Sequence, residues 1–182
     1  MKLRPASPED QDFLWRAQSH AALLEAEDDP VGTVRRHPML ARYVEGWGRA
    51  GDLGVIATQA EHAGEPIGAA WCRCFPQTAP GWGWIDTETP ELSVAVLPSF
   101  RGLGLGTALL TELLRMTDAA GTALSLAVRS TNPALRLYLR LGFCILPERD
   151  FLNRTGILSH VMLRARPQPP RENGAKPPGP RR

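Results

Sequence analysis

Residues 98–106 read PSFRGLGLG, and TALLTELL follows at 107–114. Arg101 stands ahead of three glycines at alternate positions, Gly102, Gly104 and Gly106. ELSVAVL (91–97) before them is a run of strand formers. Residues 104–120 recur at helical spacing, with Leu109, Leu110, Leu113, Leu114 and Met116 on one stripe and Thr111, Glu112, Arg115 and Asp118 on the other. The order is strand, glycine loop, helix. Such a loop leaves the first helical N–H groups without intrahelical partners at the positive end of the dipole, a place that binds phosphate. Missing side chains let phosphate oxygens approach the backbone, and Arg101 adds a fork of charged donors. A pyrophosphate meets all three conditions. A Walker loop is excluded because no lysine is present here. A G-x-G-x-x-G fingerprint fails because Thr107 or Leu109 occupies the last glycine position. The same residues also fit a tight strand-to-helix turn with no ligand.

Working outward, LGVIAT (53–58) and IGAAWCRCF (67–75) read as an antiparallel hairpin about the turn EHAGEP. PQTAPGWGWIDTETP (76–90) reads as a long exposed loop of the kind that often carries function. Residues 2–4 form a short first strand. Ser7, Pro8 and Asp10 form an approximate capping box for a helix over 8–26, which EDDPVG ends. A second helix is expected from Pro38 to about Ala50. Beyond the central helix, TALSLAV (122–128) is a strand, Asn132 and Pro133 start a short helix to Gly142, and FCIL (143–146) and GILSHVML (156–163) are strands. From Arg166 the chain is almost all Pro, Gly and charge, which predicts a disordered tail after one domain over 1–165.

The composition is that of a soluble globular chain of 182 residues, with 43% hydrophobic and 22% charged residues. The net charge of +2 comes without a basic stripe interleaved with aromatics, so nucleic acid is not expected as a partner. No apolar stretch is long enough to span a bilayer, and MKLRPASPED has no apolar core of a secretory signal. Three cysteines, Cys72, Cys74 and Cys144, give no disulfide framework and fit a reducing cytoplasm. Cys72-x-Cys74 reads as two buried thiols on one strand face. No metal is expected, since there is no second Cys pair and His20, His37, His62 and His160 are scattered.

Arg101-x-x-Gly104-x-Gly106 resembles the acetyl-CoA-binding motif of the GCN5-related N-acetyltransferases. ELSVAVLPSF is similar to the strand that precedes it in that family, and NPALRLYLRLGF (132–143) to the second signature, in which Asn, Ala, Tyr and a closing Gly-Phe recur. The element order β-α-α-β-β-β-α-β-α-β-β over residues 1–165 matches as well. The resemblance implies a mixed-sheet α/β acyl-CoA N-acyltransferase fold and acetyl-CoA as co-substrate. It implies that backbone groups along Val94, Ala95 and Val96 pair with the pantetheine amides. Arg101 and the amides of Gly102, Leu103, Gly104, Leu105, Gly106 and Thr107 would hold the pyrophosphate. Asn132 would touch the pantetheine arm or cap its helix, and Tyr138 would act as general acid at the thioester or pack in the core.

Glu91 is the expected base, where the family often has a carboxylate, or else a solvated strand end. Asp86, Glu88 and His160 are weaker candidates. Arg129 departs from the acidic residue that the resemblance implies after the fifth strand. It marks a substrate with a carboxylate or phosphate, or a surface ion pair, and the pair is preferred. Trp82 and Trp84 are expected to wall the acceptor pocket, and Trp71 to lie in the core. The expected reaction is acetyl transfer to a primary amine, of a small molecule rather than a protein; a CoA-binding sensor without catalysis is the alternative. A homodimer is expected only from family habit.

Overall fold

The computed structural model describes residues 1–59, 64–153 and 155–166. The tail expected after Arg166 lies outside the described residues. In chain order the elements are β1 (Lys2–Pro5), α1 (Gln11–Ala21), α2 (Pro30–Arg36), α3 (Pro38–Ala41), β2 (Leu53–Thr58), β3 (Pro66–Arg73), β4 (Glu91–Val96), α4 (Leu105–Ala119), β5 (Leu124–Arg129), α5 (Leu135–Arg140), β6 (Cys144–Ile145), β7 (Phe151–Leu152) and β8 (Leu158–Arg164). One sheet runs β1-β2-β3-β4-β5-β8-β6, with β7 paired to β8. This is the mixed α/β fold expected. No helix among the described residues is long and apolar enough to cross a membrane.

The N-terminal helices differ from expectation for local reasons. α1 stops at Ala21, and Leu23 then adopts a left-handed φ of 58°. EDDPVG, expected as a stop, is also a start: the Asp29 side chain accepts from Gly32 N–H at 2.9 Å and Pro30 opens α2. The helix expected over 38–50 is one turn, Pro38–Ala41, and the chain goes on in turns to Gly46 and Gly48, whose positive φ bars further helix. Its apolar residues still pack inward. Buried Arg73 takes the carbonyls of Arg42 (2.8 Å) and Glu45 (2.9 Å), and the Trp71 indole N–H takes that of Tyr43 (3.1 Å), so the irregular turn is pinned to β3. Cys72 is buried, but Cys74 lies past the end of β3 and is exposed, which corrects the expectation of two buried thiols. No cluster of three or more His, Cys, Asp or Glu among the described residues could hold a metal ion.

Strand parity divides the core into two layers. Leu92, Leu124, Leu126, Val128 and Met162 face α4 and its Leu109, Leu110 and Leu113. Trp71 and Ala95 face α1–α3 with Leu14, Val34, Val44 and Trp47. By the same alternation Glu91 and Ser93 of β4, and Ser125, Ala127 and Arg129 of β5, share the α1–α3 side. β3 and β4 pair along their length. The parallel neighbours β4 and β5 are in register only at Glu91↔Ser125, and beyond that point they splay. The candidate site lies at this splay.

Candidate active site

The open edge of β4 forms the first wall. Leu97 N–H bonds to Ile67 O in β3, whereas Ser125 N–H reaches across to Pro90 O. Alternation therefore turns the peptide groups of Val94 and Val96 toward the splay, where β5 no longer meets them. Those of Ala95 belong to the ladder with β3, so Ala95, expected among the cofactor contacts, is a wall of the α1–α3 core instead. The Val96 carbonyl is taken by Arg101 Nε at 3.0 Å, which leaves the Val94 groups and the Val96 N–H facing the splay, where they suit a ligand that carries amides.

At the end of β4 the chain enters the glycine loop. Gly102 and Gly104 both have φ of 78°. A Cβ on either would meet nothing within 4 Å, and one on Gly106 only Val96 Cγ2 at 4.0 Å, so the corner is open. Ala108 N–H, bonded to Gly104 O, makes the first helical bond. The N–H groups of residues 102–107 thus have no backbone partner among the described residues. Leu105 points its side chain into the core and Leu103 its own into solvent. Arg101 folds back over this corner: Nε donates to Val96 O at 3.0 Å and an Nη to Glu25 Oε1 at 2.6 Å. Asn132 caps the following turn, its Oδ1 accepting from Ala134 N–H at 2.8 Å.

A cleft of about 370 Å³ opens from the splay toward α1 and α3. Val94, Asn132 and Tyr138 line its one side, and Glu91, Tyr43, Trp82 and Arg129 the other. Tyr138 is buried edge-on to Phe143, with ring centroids 5.9 Å apart, and burial pushes its hydroxyl up to about 12. Glu91 is not a solvated strand end; it is 3% exposed. The Tyr43 hydroxyl donates to its Oε1 at 2.6 Å and Gly83 N–H to the same oxygen at 2.7 Å. Trp82 N–H donates to the Tyr43 oxygen at 2.9 Å, so the tyrosine proton is committed to Glu91. Oε2 is buried with no partner. Burial lifts the Glu91 carboxyl to about 7, against the hydrogen bonds from Tyr43 and Gly83 and the charge of Arg42.

The 76–90 segment, expected as an exposed loop, folds inward to make this environment. A Cβ on Gly81 would sit 2.0 Å from Glu91 Oε2, and one on Gly83 2.4 Å from the Leu126 carbonyl carbon. The two glycines of GWG therefore let backbone lie directly on Glu91 and β5. Gly83→Ala is expected to destabilise the fold by about 1–3 kcal/mol through overpacking against backbone. It should also lower turnover, because the donor to Glu91 is displaced. Calorimetric unfolding alongside a turnover assay checks both effects.

Trp82 lies at the cleft and stacks on Phe151, with centroids 5.5 Å apart. Trp84, expected beside it, does not line the cleft. Its indole donates to Phe75 O at 3.0 Å and packs on the α1–α3 core. His160 faces the other side of the sheet from Glu91 and is held by Asp150 at 2.9 Å. Asp86 is occupied by the N–H groups of Glu88 and Thr89. Arg129 lines the cleft with no carboxylate within ion-pair distance among the described residues, so the preferred surface pair is not formed. Sequence reasoning missed Tyr43, which stood in an apolar helical pattern, and Gln18 and His37, whose Oε1 and Nδ1 are buried in the cleft wall without partners.

The family profile of the acetyltransferase (GNAT) family matches residues 25–143, which hold β4, the glycine loop and Tyr138. The chain belongs to this GNAT family. An L-2,4-diaminobutyric acid acetyltransferase of Nocardia farcinica is 36% identical over 123 residues, 58% of this chain and 62% of that protein. A mycothiol acetyltransferase of Streptomyces avermitilis is 30% identical over 155 residues, 84% of this chain and 46% of that one. The GNAT chain thus spans less than two thirds of the curated relatives it matches. In fold it is similar to yncA of Salmonella typhimurium, solved with its cofactor acetyl-CoA, with a TM-score of 0.66 over 98% of both chains at 24% identity. A GNAT phosphinothricin acetyltransferase from Sinorhizobium meliloti in complex with AcCoA superposes with a TM-score of 0.58 at 20% identity, over 90% of this chain and 86% of that one.

Proposed function

We propose that this GNAT chain transfers acetyl from acetyl-CoA directly to a primary amine of a small molecule. Glu91 carries this reading: a buried carboxylate with one oxygen lacking a hydrogen-bond partner, in the same cleft as Tyr138 and next to the open edge of β4. The pyrophosphate is received by the N–H groups of residues 102–107 and by Arg101, and the pantetheine amides by Val94 and Val96. Family membership and the acetyl-CoA complexes of fold relatives support the donor. The curated relatives, named as acetyltransferases of diaminobutyric acid and of mycothiol, support a small-molecule acceptor.

The chemistry follows from proton affinities. An amine of pKa about 10 is protonated at neutral pH and must lose its proton to attack. Glu91, held near 7, is half ionised there and takes that proton directly or through a water. The nitrogen bonds to the acetyl carbon, the carbon–sulfur bond breaks, and the sulfur leaves with a pKa near 8.5. Tyr138, at about 12, is a weaker acid than the departing thiol, so it assists by donating a hydrogen bond to the developing thiolate rather than by giving up its proton outright. A hydrogen bond to a charged group contributes about 1.5–3 kcal/mol, so Tyr138→Phe is expected to lower kcat about 10- to 100-fold.

The test is CoA release from acetyl-CoA with a panel of small amines, for the natural chain and Tyr138→Phe. Release with at least one amine, reduced in the variant, supports the assignment. Acetyl-CoA binding without release for any amine favours the non-catalytic sensor.

A further inference from the structure

The cleft is polarised, and the polarity describes the acceptor. Two of the three cleft-wall atoms that are buried without a partner are oxygens, Gln18 Oε1 and Glu91 Oε2, and the second accepts whenever Glu91 is ionised. Gln18 projects from α1, which packs over β4. These atoms await N–H donors, as an amine provides.

The far end of the same sheet face presents donors. Arg129 closes β5, four residues beyond Ser125, the register partner of Glu91, or about 13 Å along the strand. Its guanidinium has no carboxylate partner among the described residues. Ser159 is opposite Arg129 in the β5–β8 register and is 96% buried, being 4% exposed. Its Oγ already accepts from Asn153 Nδ2 at 3.2 Å, which leaves the hydroxyl proton to be donated. Asn153 Oδ1 is taken by Thr155 and Ile157 N–H groups, so Asn153 adds no acceptor at this end. Arg129, Ser159 and Asn153 all line the cleft. A fixed cation beside a buried unused hydroxyl suits a carboxylate. Both side chains line the one cleft, on strand positions about 13 Å apart, a separation that two long side chains and a small zwitterion between them can bridge.

We propose that the acceptor is a zwitterion, an amino acid whose primary amine lies at Glu91 and Gln18 and whose carboxylate is bound by Arg129 and Ser159. This rests on the acetyltransferase reading above and adds its substrate class. The transfer is unchanged: nitrogen–carbon forms, carbon–sulfur breaks, and the amine proton passes to Glu91. Arg129 is then a specificity-determining residue, remote from the reacting atoms.

The experiment uses amines that differ only by the carboxylate: ornithine against putrescine and lysine against cadaverine, each with saturating acetyl-CoA, following CoA release. The acid is expected to exceed its decarboxylated counterpart in kcat/KM by about 10- to 100-fold in at least one pair. Arg129→Gln should remove most of that preference through KM, Arg129→Lys should restore part of it, and Ser159→Ala should act in the same direction. None of them should change the affinity for acetyl-CoA, measured by calorimetry, which also shows that each variant is folded. Diamines equal to or better than the acids in both pairs, or Arg129→Gln lowering acid and diamine alike, would overturn the zwitterion while leaving the acetyltransferase standing. No release with acids or diamines would remove both.

Discussion

Glu91→Gln is expected to lower kcat by about 10²–10⁴-fold while the affinity for acetyl-CoA stays within about twofold. The substitution is close to silent in shape. The amide oxygen can still accept from Tyr43 and Gly83, and the amide nitrogen replaces the one oxygen that has no partner. What is lost is the proposed base. In the natural chain kcat/KM should fall as pH drops through about 7, where Glu91 takes up its proton, and this limb should vanish in the residual activity of the variant.

Stability should move the opposite way. Between the ordinary carboxyl pKa of 4.5 and about 7 the folded chain holds a proton on Glu91 that the unfolded chain has released, so the folded state loses stability as pH rises through that window. Glutamine has no such titration. At pH 8 the variant is therefore expected to unfold at higher denaturant than the natural chain, by about 1–3 kcal/mol, with the difference shrinking toward pH 5. A variant that is active, or that is less stable at pH 8, would return Glu91 to a packing role.

Arg101→Glu is expected to weaken acetyl-CoA binding by at least about 100-fold, because it puts a negative charge at the corner proposed to receive the linked phosphates. Glu25 makes the comparison sharper. In the free chain its carboxylate already engages Arg101 at 2.6 Å, and its negative charge offsets the positive charge that a phosphate would meet. Glu25→Gln should therefore tighten binding. The pair is about half exposed on the Arg101 side, at 47%, so its strength is about 0.2–1 kcal/mol and the gain no more than about fivefold. Both effects should shrink at high salt. Calorimetric titration of the three proteins at two ionic strengths checks these signs. Unchanged affinity in Arg101→Glu would mean that the phosphates lie elsewhere.

The proposed donor half of the site could be outlined from the sequence because its chemistry is local. A strand, an arginine, alternating glycines and a helix start occupy the sixteen consecutive residues from Glu91 to Gly106, and the proposed contacts there are mostly backbone groups. Even there, Ala95 was misjudged, since which peptide groups face the splay depends on pairing with β3. The acceptor half was legible only in part. Glu91 could be named from its strand position, but its burial depends on Tyr43, 48 residues earlier, and on GWG curling back over β5. Nothing in the tryptophan spacing told Trp82 from Trp84, whose side chains part toward cleft and core. EDDPVG contains both a stop and a start, and composition alone does not separate them.

The single rung between β4 and β5 makes the middle of the sheet a seam. On one side lie β1–β4, and on the other β5, β6, β7 and β8, held to the first half chiefly by side chains around α4 and by the Arg164–Asp118 ion pair at 2.5 Å. An amide-bearing arm laid along Val94 and Val96 would stitch the two halves together. Loading with acetyl-CoA should then slow amide exchange along both flanks of the seam at once, at peptide groups that the arm touches and at others that it does not.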